Sequence, residues 1–221
     1  MLRISIAELI ENLIKAFYET FIMCSTSIAL AILLGVPIGL FIYITSKGML
    51  LENKILNVIG GFLVNIIRST PFVILLVLLI PITKMIVGST IGPLAASVPL
   101  AVVAVAFFAR LVENALCEVE KGVIEAAMAT GASNFMIIKD VLLAEAFPGI
   151  IRGLTVTMIS LIGYSAMAGI VGGGGIGDLA IRFGYYRYQT DVMLITVALL
   201  IALVQIIQTA GDLIAKKADR R

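Results

Sequence analysis

Five long runs of apolar residues, separated by shorter polar segments, dominate the pattern along the chain. They cover residues 20–43, 56–82, 92–109, 150–172 and 191–213. Each run approaches or exceeds the roughly 20 mainly apolar residues that an α-helix needs to cross a bilayer. The runs are continuous and lack the alternation that is typical of barrel strands. The pattern therefore predicts an all-α integral membrane protein with five transmembrane helices.

Residues 1–19, ahead of the first run, mix apolar and polar positions at helical spacing. The apolar positions share one face of a helix, and the polar positions lie opposite. The apolar set is Ile6, Leu9, Ile10, Leu13, Ile14 and Phe17, and the polar set is Glu8, Glu11, Asn12 and Lys15. This spacing predicts an amphipathic helix on the outer membrane surface. The alternative is an N-terminal extension of the first transmembrane helix.

The longest polar interruption, residues 110–149, predicts a helix, a turn and a second helix. Residues 118–128 favour helix formation, and Gly131 interrupts them. Ser133 can cap a second helix that runs from Phe135 to Leu143. A short helix with an exposed tip can dock as a rigid knob in the groove of a partner. The alternative is an amphipathic loop that only lies on the membrane.

Lys and Arg residues are distributed unevenly between the two sides of the predicted bundle. One side carries the 44–55 loop, the 110–149 insert with its edges, and the 214–221 tail. Its ten basic residues are Lys47, Lys54, Arg110, Lys121, Lys139, Arg152, Lys216, Lys217, Arg220 and Arg221, and the other side has Arg3, Lys15, Lys84, Arg182 and Arg187. Because cytoplasmic loops carry the excess of Lys and Arg, we expect a cytoplasmic insert and C-terminus and an outer N-terminus.

Composition supports the membrane assignment and excludes several kinds of site. The chain is 61% hydrophobic and 14% charged, with a mean hydropathy of +1.12, whereas soluble domains carry about 25% charged residues. Histidine is absent, which removes a Ser-His dyad, a His-ligated metal and a histidine proton relay. The two cysteines, Cys24 and Cys117, fall at different predicted depths, so we expect no disulfide. No basic stretch is interleaved with aromatic residues, so nucleic acid is not an expected partner.

The apolar runs contain no Asp or Glu near their centres. Transporters driven by ion gradients usually hold such residues in mid-membrane to bind the coupling ion, so an ion-driven mechanism lacks its usual side chains here. Five spans are also few for enclosing a solute path. Two copies would supply ten spans and a path on a two-fold axis, which predicts a homodimer.

Arg68 is a charged residue within the second apolar run, three positions before Pro71. Pro71 removes a helix hydrogen bond, and the hydroxyls of Ser69 and Thr70 can satisfy freed carbonyls. Arg68 either faces a translocation path or extends to the cytoplasmic headgroups. The sequence leaves both alternatives open.

Four consecutive glycines, Gly172–Gly175, lie at the outer end of the fourth run. No Gly-Lys-Ser/Thr follows them and no strand precedes them, which argues against nucleotide binding. Backbone flexibility and close approach are the expected roles. The segment after them, Arg182–Tyr188, offers aromatic and cationic groups to a docking protein, or forms an interfacial aromatic belt.

The insert resembles the EAA motif of ABC-importer permeases. Glu125, Ala126 and Ala127 are followed by Gly131 and then by Val141 and Leu143. The chain departs from that motif at Ala144, where the family usually has Pro, and Val141 replaces the usual Ile. In the family this segment is the coupling helix that inserts into the ATP-hydrolysing subunit. The resemblance assigns that role to Glu125, Ala126, Ala127, Thr130, Gly131, Ala132, Ser133 and Phe135.

Further segments are similar to methionine-import permeases, and the similarity extends over most of the chain. They are residues 68–72, 109–116, 164–169, 172–178 and 185–191. The resemblance implies the type I ABC importer permease fold over residues 20–213, in the bacterial inner membrane. It implies a homodimer, two cytoplasmic ATPase subunits that bind ATP and Mg, and an extracytoplasmic solute-binding lipoprotein. No cofactor is expected on this chain.

By the same resemblance, two sets of residues gain expected roles along the solute route. Met167, with Ser165 and Arg68, is expected along the path or its gate, although ordinary packing of Met167 is an equal alternative. The expected outer mouth or docking residues are Gly172, Gly173, Gly174, Gly175, Arg182, Tyr185, Tyr186 and Arg187.

Two other functions remain open from the sequence. The cargo of an ABC permease could be another amino acid or a small peptide, because the sequence shows no polar pocket that would identify methionine as the cargo. A stand-alone channel or an assembly factor is the alternative from another class. An intramembrane enzyme is disfavoured, since no dyad, metal site or paired carboxylate occurs within the runs.

Overall fold

The structure is a computed structural model that describes residues 6–219, and all of its regular secondary structure in that range is helical. Three of the charges counted for orientation, Arg3, Arg220 and Arg221, lie outside the described residues, as do residues 1–5 of the N-terminal segment. The α-helices are α1 (Ile6–Leu30), α2 (Val36–Ile44), α3 (Lys54–Ser69), α4 (Phe72–Leu78), α5 (Ile80–Val87), α6 (Pro93–Cys117), α7 (Lys121–Ala129), α8 (Asn134–Met136), α9 (Leu143–Ala168), α10 (Ile176–Leu179) and α11 (Thr190–Ala218). Wider π-helical turns cover Ala31–Gly35, Ile137–Leu142, Gly169–Gly173 and Ala180–Tyr185.

The first helix is longer than the first apolar run. It begins before residue 20 and passes through the Ala31–Gly35 π-turn into α2 without a break, so that a candidate span covers Ala7–Ile44. Leu9 and Ala16 of its N-terminal part are buried against Phe183, while Ile14 is 66% exposed. Residues 6–19 are therefore continuous with the first span and also pack on protein.

The second apolar run forms two helices rather than one. After α3 the chain turns through 103° at Thr70 and Pro71 before α4 begins. Thr70 is extended, with ψ of 123°, which is the conformation that a following proline favours. Among the described residues, four helices are long and apolar enough to cross a membrane, or five if this bent pair counts as one.

Helix α6 lies at the centre of the bundle. Of its most apolar stretch 67% is buried, against 11% for α11. Leu100, Phe108 and Val112 are fully covered by neighbouring helices. Close approach of the first span depends on glycine, since a Cβ on Gly39 would lie 2.4 Å from the carbonyl oxygen of Ala109. α6 therefore positions the other helices, and α11 lies at the edge.

The second helix of the insert does not end before the fourth run. From Asn134 the chain is helical through the Ile137–Leu142 turn and α9, as far as the glycine-rich run. Pro148 lies inside α9 and is buried there together with Ala146 and Ile150. The predicted boundary near Leu143 is therefore replaced by one long helix.

The segments assigned to one side by their charges lie together at one end of the bundle. A cleft of about 440 Å³ is lined by the end of α6, the start of α9 and the end of α11, including Glu118, Arg152 and Lys217. At the opposite end, the N–H of Gly92 donates to the carbonyl of Gly172 at 2.9 Å. The 110–149 insert thus shares an end with the C-terminal residues and not with the glycine-rich run.

Candidate functional site

The turn between α7 and α8 is built by local backbone chemistry. Gly131 has a φ of +79°, a left-handed conformation that favours glycine. Its N–H donates to the carbonyl of Met128 at 3.0 Å, and the N–H of Ala132 donates to the carbonyl of Ala127 at 3.2 Å. These two bonds form the Schellman arrangement that ends a helix. The predicted interruption at Gly131 is confirmed.

Ser133 begins the helix that follows the turn. Its hydroxyl oxygen accepts a hydrogen bond from the N–H of Met136 at 3.3 Å, and its own backbone is extended. An N-terminal side chain in this position satisfies one of the N–H groups that the first helical turn leaves unpaired. The predicted cap is confirmed, and together with Gly131 it fixes the shape of the tip.

The insert has one anchored face and one open face. Ile124, Ile137 and Leu142 are buried in the main core. Phe135 is 71% exposed, and Glu125 is exposed as well. Of the other residues assigned by the resemblance, Ala126, Thr130, Gly131 and Ser133 are exposed, and Ala127 and Ala132 are half-buried. The arrangement presents a braced, partly apolar tip.

The loop between α2 and α3 supports this segment from one side. A cleft of about 270 Å³ lies between them, lined by Met49 and Leu50 of the loop and by Lys121 and Glu125 of the insert. The loop is ordered by backbone bonds such as that from the N–H of Leu51 to the carbonyl of Ile44, at 3.0 Å. Reasoning from sequence missed this contact, because the residue spacing within either segment does not indicate that the two segments lie together.

The three residues expected along a path lie in two helices. Arg68 is exposed in the last turn of α3, next to the 103° bend. Ser165 is buried in α9, and its hydroxyl donates to the carbonyl of Ile162 at 2.8 Å. Met167 is 44% exposed. Within this chain, the side chains of Arg68 and Met167 are therefore accessible, and that of Ser165 is not.

The glycine-rich run bends the chain at the end of α9. Gly172, Gly174 and Gly175 have φ values of 93°, 76° and 93°, which only glycine adopts without strain. Gly173 is buried, and a Cβ there would lie 2.9 Å from that of Ala96. The run thus allows close approach to α6, as the sequence predicted.

Glu19 and Thr20 of α1 hold the end of this run, and both were missed as functional candidates. A carboxylate oxygen of Glu19 accepts from the N–H of Gly175 at 2.8 Å. The hydroxyl oxygen of Thr20 accepts from the N–H of Ile176 at 2.9 Å. The only signal in the sequence was an acidic residue at the very start of an apolar run.

Two of the expected docking residues, Arg182 and Arg187, lie over the ring of Phe183, which is buried. The guanidinium carbons of Arg182 and Arg187 lie 5.3 and 4.4 Å from the centroid of its ring, within the range of a cation–π contact. Tyr185 and Tyr186 are each 65% exposed, with ring centroids 5.4 Å apart. The segment therefore displays aromatic and cationic groups together.

Asp178 adds a carboxylate beneath this surface. It pairs with Arg182 at 3.2 Å between Nη2 and Oδ2. Burial raises the pKa of Asp178 above its ordinary value, the Arg182 guanidinium opposes that rise, and the Glu19 carboxylate adds to it. Protonation of Asp178 is therefore easier than for an exposed aspartate.

Arg110 of α6 ties the insert side of the bundle to α3. It pairs with Glu113, one helical turn away, and donates to the side-chain oxygen of Asn65 at 3.1 Å. Within residues 6–219, no group of three or more Asp, Glu, Cys or His side chains is placed to hold a metal ion. The polar chemistry of these residues is that of hydrogen bonds and ion pairs.

Comparison with known proteins yields consistent matches over nearly the full length. The family described as binding-protein-dependent transport system inner membrane component matches residues 12–221. The probable D-methionine transport system permease protein MetI of Vibrio cholerae is 49% identical over 211 residues, covering 96% of this chain and 94% of that protein. The methionine import system permease protein MetP of Bacillus subtilis is 46% identical over 212 residues, covering 96% of each.

A solved structure extends the similarity to three dimensions. One chain of the structure titled "Inward facing conformations of the MetNI methionine ABC transporter" is 44% identical, with a TM-score of 0.95. The match covers 98% of this chain and 100% of that one. An amino acid ABC transporter at 20% identity has a TM-score of 0.78 and shares the fold.

Proposed function

The chain belongs to the family of binding-protein-dependent transport system inner membrane components, and from that premise we propose that it is the permease subunit of an ATP-driven methionine importer. It is a multi-pass protein of the cytoplasmic membrane and a transport component rather than an enzyme. The observation that carries the proposal is the 44% identity and 0.95 TM-score to a chain of a methionine ABC transporter, over 98% of the length.

In the proposed assembly, two copies of this chain form a homodimer that meets two cytoplasmic ATPase subunits. ATP and Mg bind to the ATPases, and this chain holds no cofactor. The insert and the C-terminus face the cytoplasm, the N-terminus lies outside, and a bent second span brings the number of spans to five. The largely unburied surface of α11 is available to lipid or to the second copy.

The insert transmits motion from the ATPases. Glu125 and Phe135 project from a segment whose other face is fixed by Ile124 and Ile137, so a pull on the tip moves the core and not only a loop. Closure of the ATPases around ATP brings the two tips together and switches the dimer from inward-open to outward-open. The tip supplies the contact energy that differs between the two states.

Solute enters from an extracytoplasmic binding lipoprotein, which docks at the outer mouth. Arg182, Arg187 and the two exposed tyrosines offer the cation and aromatic contacts for that docking. Met167 and Arg68 are the side chains that present surface along the path. A flexible thioether suits contact with an apolar solute such as methionine.

Two matched valine substitutions test the coupling role. Gly131 and Gly88 each end a helix in the left-handed conformation, with φ of +79° and +78°, and a Cβ at either meets nothing within 4 Å. Gly131→Val and Gly88→Val therefore impose the same backbone strain, about 1–2 kcal/mol or more for a branched side chain. With ATPases and binding protein in liposomes, we expect Gly131→Val to lower ATP-dependent methionine uptake at least about tenfold and Gly88→Val to change it little.

Deletion of residues 130–135 gives the stronger form of the same test, with membrane insertion intact and uptake lost. Normal uptake after the deletion would rule out the coupling mechanism.

The cargo is tested separately, by measuring which amino acids the partner binding protein retains. Retention of another amino acid or a peptide in place of methionine would redirect the proposal to that cargo. Conductance through the chain alone, without any ATPase, would favour a channel.

A further inference from the structure

Glu19 joins two parts of the chain that are far apart in sequence. Its carboxylate accepts the N–H of Gly175, and the adjacent Thr20 hydroxyl accepts the N–H of Ile176, across 156 residues in each case. These two N–H groups stand at the start of α10, where no side chain of that element caps them. A hydrogen bond to a carboxylate is stronger than one between neutral groups. The first helix therefore supplies the cap that the outer loop lacks.

The fit between the two parts leaves no room for a side chain on the loop. A Cβ on Gly174 would lie 2.3 Å from the Glu19 carboxylate, and a Cβ on Gly175 would lie 2.7 Å from the Thr20 hydroxyl. Both glycines also have φ values that other residues rarely adopt. Besides providing flexibility, these glycines therefore leave the space in which the Glu19 carboxylate reaches the backbone N–H of Gly175.

The held loop controls the placement of the outer surface. Ile176 and Leu179 of α10 and Phe183 after it are buried in one cluster with Leu9 and Ala16 of α1. Because Arg182 and Arg187 stack on Phe183, the outer aromatic and cationic surface moves with this cluster. The bond from Glu19 lies next to the glycine bend and, with the Thr20 bond, joins the loop to α1.

A like charge lies near Glu19 and opposes its ionised form. Asp178, two residues after the start of α10, is a second carboxylate, and the Glu19 carboxylate adds to the rise in the pKa of Asp178. Arg182 pairs with Asp178 and offsets part of that repulsion. The carboxylate of Glu19 is half-buried and not sealed in the core. The hydrogen bond between Glu19 and Gly175, which we call the catch, is opposed by this like charge and is therefore suited to forming and breaking during transport.

We propose that Glu19 is a positioning residue for transport: its carboxylate holds the glycine-rich loop in the inward-facing state and releases it when the outer side opens. The present chain matches a solved inward-facing methionine ABC transporter with a TM-score of 0.95. The hydrogen bond from Gly175 to Glu19 is formed in the present chain. The proposal rests on the function proposed above. It predicts that loss of the catch favours the outward-open state before any binding protein arrives.

The test uses the complete transporter with its ATPases in liposomes, with and without the binding protein. Glu19→Ala removes the acceptor, Glu19→Gln keeps an uncharged one, and Glu11→Ala removes an exposed carboxylate two turns earlier in the same helix. We expect Glu19→Ala to raise ATP hydrolysis without binding protein by about tenfold, which corresponds to about 1.4 kcal/mol in the balance of the two states. Methionine uptake per ATP falls in the same variant. The rate of ATP hydrolysis without binding protein should be intermediate in Glu19→Gln, between those of Glu19→Ala and the wild type. In Glu11→Ala it should equal the wild-type rate.

A purely structural role for Glu19 gives a different result, because a damaged transporter loses hydrolysis and uptake together. That result, or hydrolysis by Glu19→Ala and Glu19→Gln equal to the wild type, would overturn the catch. The wild-type arm tests the proposed function independently. If wild-type transporter with all its partners takes up no methionine, the proposed function fails, and the catch falls with it.

Discussion

Replacing Gly39 with alanine tests how closely the first span must approach α6. The new Cβ would lie 2.4 Å from the carbonyl oxygen of Ala109 and 2.8 Å from the Cβ of Val112. Carbon atoms in ordinary contact sit about 3.5–4.0 Å apart, so the two helices must separate by about 1 Å. The obstacle is backbone, which cannot rotate away as a side chain can.

The magnitude follows from two opposing effects. Overpacking a well-filled core costs about 1–3 kcal/mol, and a backbone obstacle places Gly39 at the upper end of that range. Alanine gains about 0.5–1 kcal/mol over glycine in a helix, which leaves a net loss of about 2 kcal/mol. Gly61 in α3 is the matched control, since a Cβ there meets nothing within 4 Å. Gly61→Ala keeps only the gain, so the two variants differ by about 3 kcal/mol.

Thermal unfolding in detergent measures this difference through a native thiol. Cys24 in α1 is half-buried, and a thiol-reactive dye reports its exposure as the bundle opens. Cys117 is exposed and would react with the folded protein, so every variant carries Cys117→Ser. For a chain of this size, about 1 kcal/mol shifts the Tm by roughly 2–4 °C. We expect Gly39→Ala to lower the Tm by about 4–8 °C and Gly61→Ala to leave it unchanged or slightly raised.

A Tm for Gly39→Ala equal to that of the wild type would refute the reasoning, because the close approach of α2 to α6 would then carry no energetic weight. A loss in Gly61→Ala as large as that in Gly39→Ala would refute it as well. That outcome would mean that any added methyl group is harmful, whatever its surroundings.

Two further predictions concern polar groups at opposite ends of the bundle. Ser133→Ala removes the acceptor for the N–H of Met136 and is expected to lower the stability of this helix end by about 1 kcal/mol. Amide hydrogen exchange at residues 134–137 should therefore become faster. Unchanged exchange would count against the cap. Because the folded-state pKa of Asp178 is raised, its stabilising contribution is present at low pH and is lost as the pH rises through that pKa. The Tm of the wild type relative to Asp178→Asn should therefore rise as the pH falls from 8 to 4, and the opposite trend would contradict the burial of this carboxyl.

Local chemistry explains what the sequence predicted well. The end of α7 at Gly131 and the cap at Ser133 depend on bonds between residues at most five positions apart. Such signals are complete within a short window of sequence. The apolar runs predicted the membrane class in the same direct way, since burial in lipid demands length and composition, but among the described residues they form four spanning helices, or five if the bent pair counts as one. The membrane class and the helical insert follow from these two kinds of signal.

Long-range packing decided what the sequence did not show. Pro71 indicated an interruption, but the 103° turn also depends on where α4 packs, with Phe72 stacked on Tyr164 at 5.1 Å between ring centroids. Pro148 is a residue type that often ends a helix, yet α9 continues through it, with Ala146 and Ile150 on either side buried. Glu19 gave no signal beyond its position at the start of an apolar run, since its partner lies 156 residues away. Each of these outcomes depends on the tertiary fold.

The unbroken helix from Asn134 to Ala168 gives the insert a long lever arm. About 35 residues at 1.5 Å each span roughly 50 Å, from the exposed tip to the glycine bend. A tilt of one degree at the tip displaces the far end by about 0.9 Å, if the rod stays straight. Small rotations at the tip thereby become ångström-scale displacements at the glycine bend, at the other end of the bundle. Geometry alone supplies that amplification, with no relay of rearranging side chains.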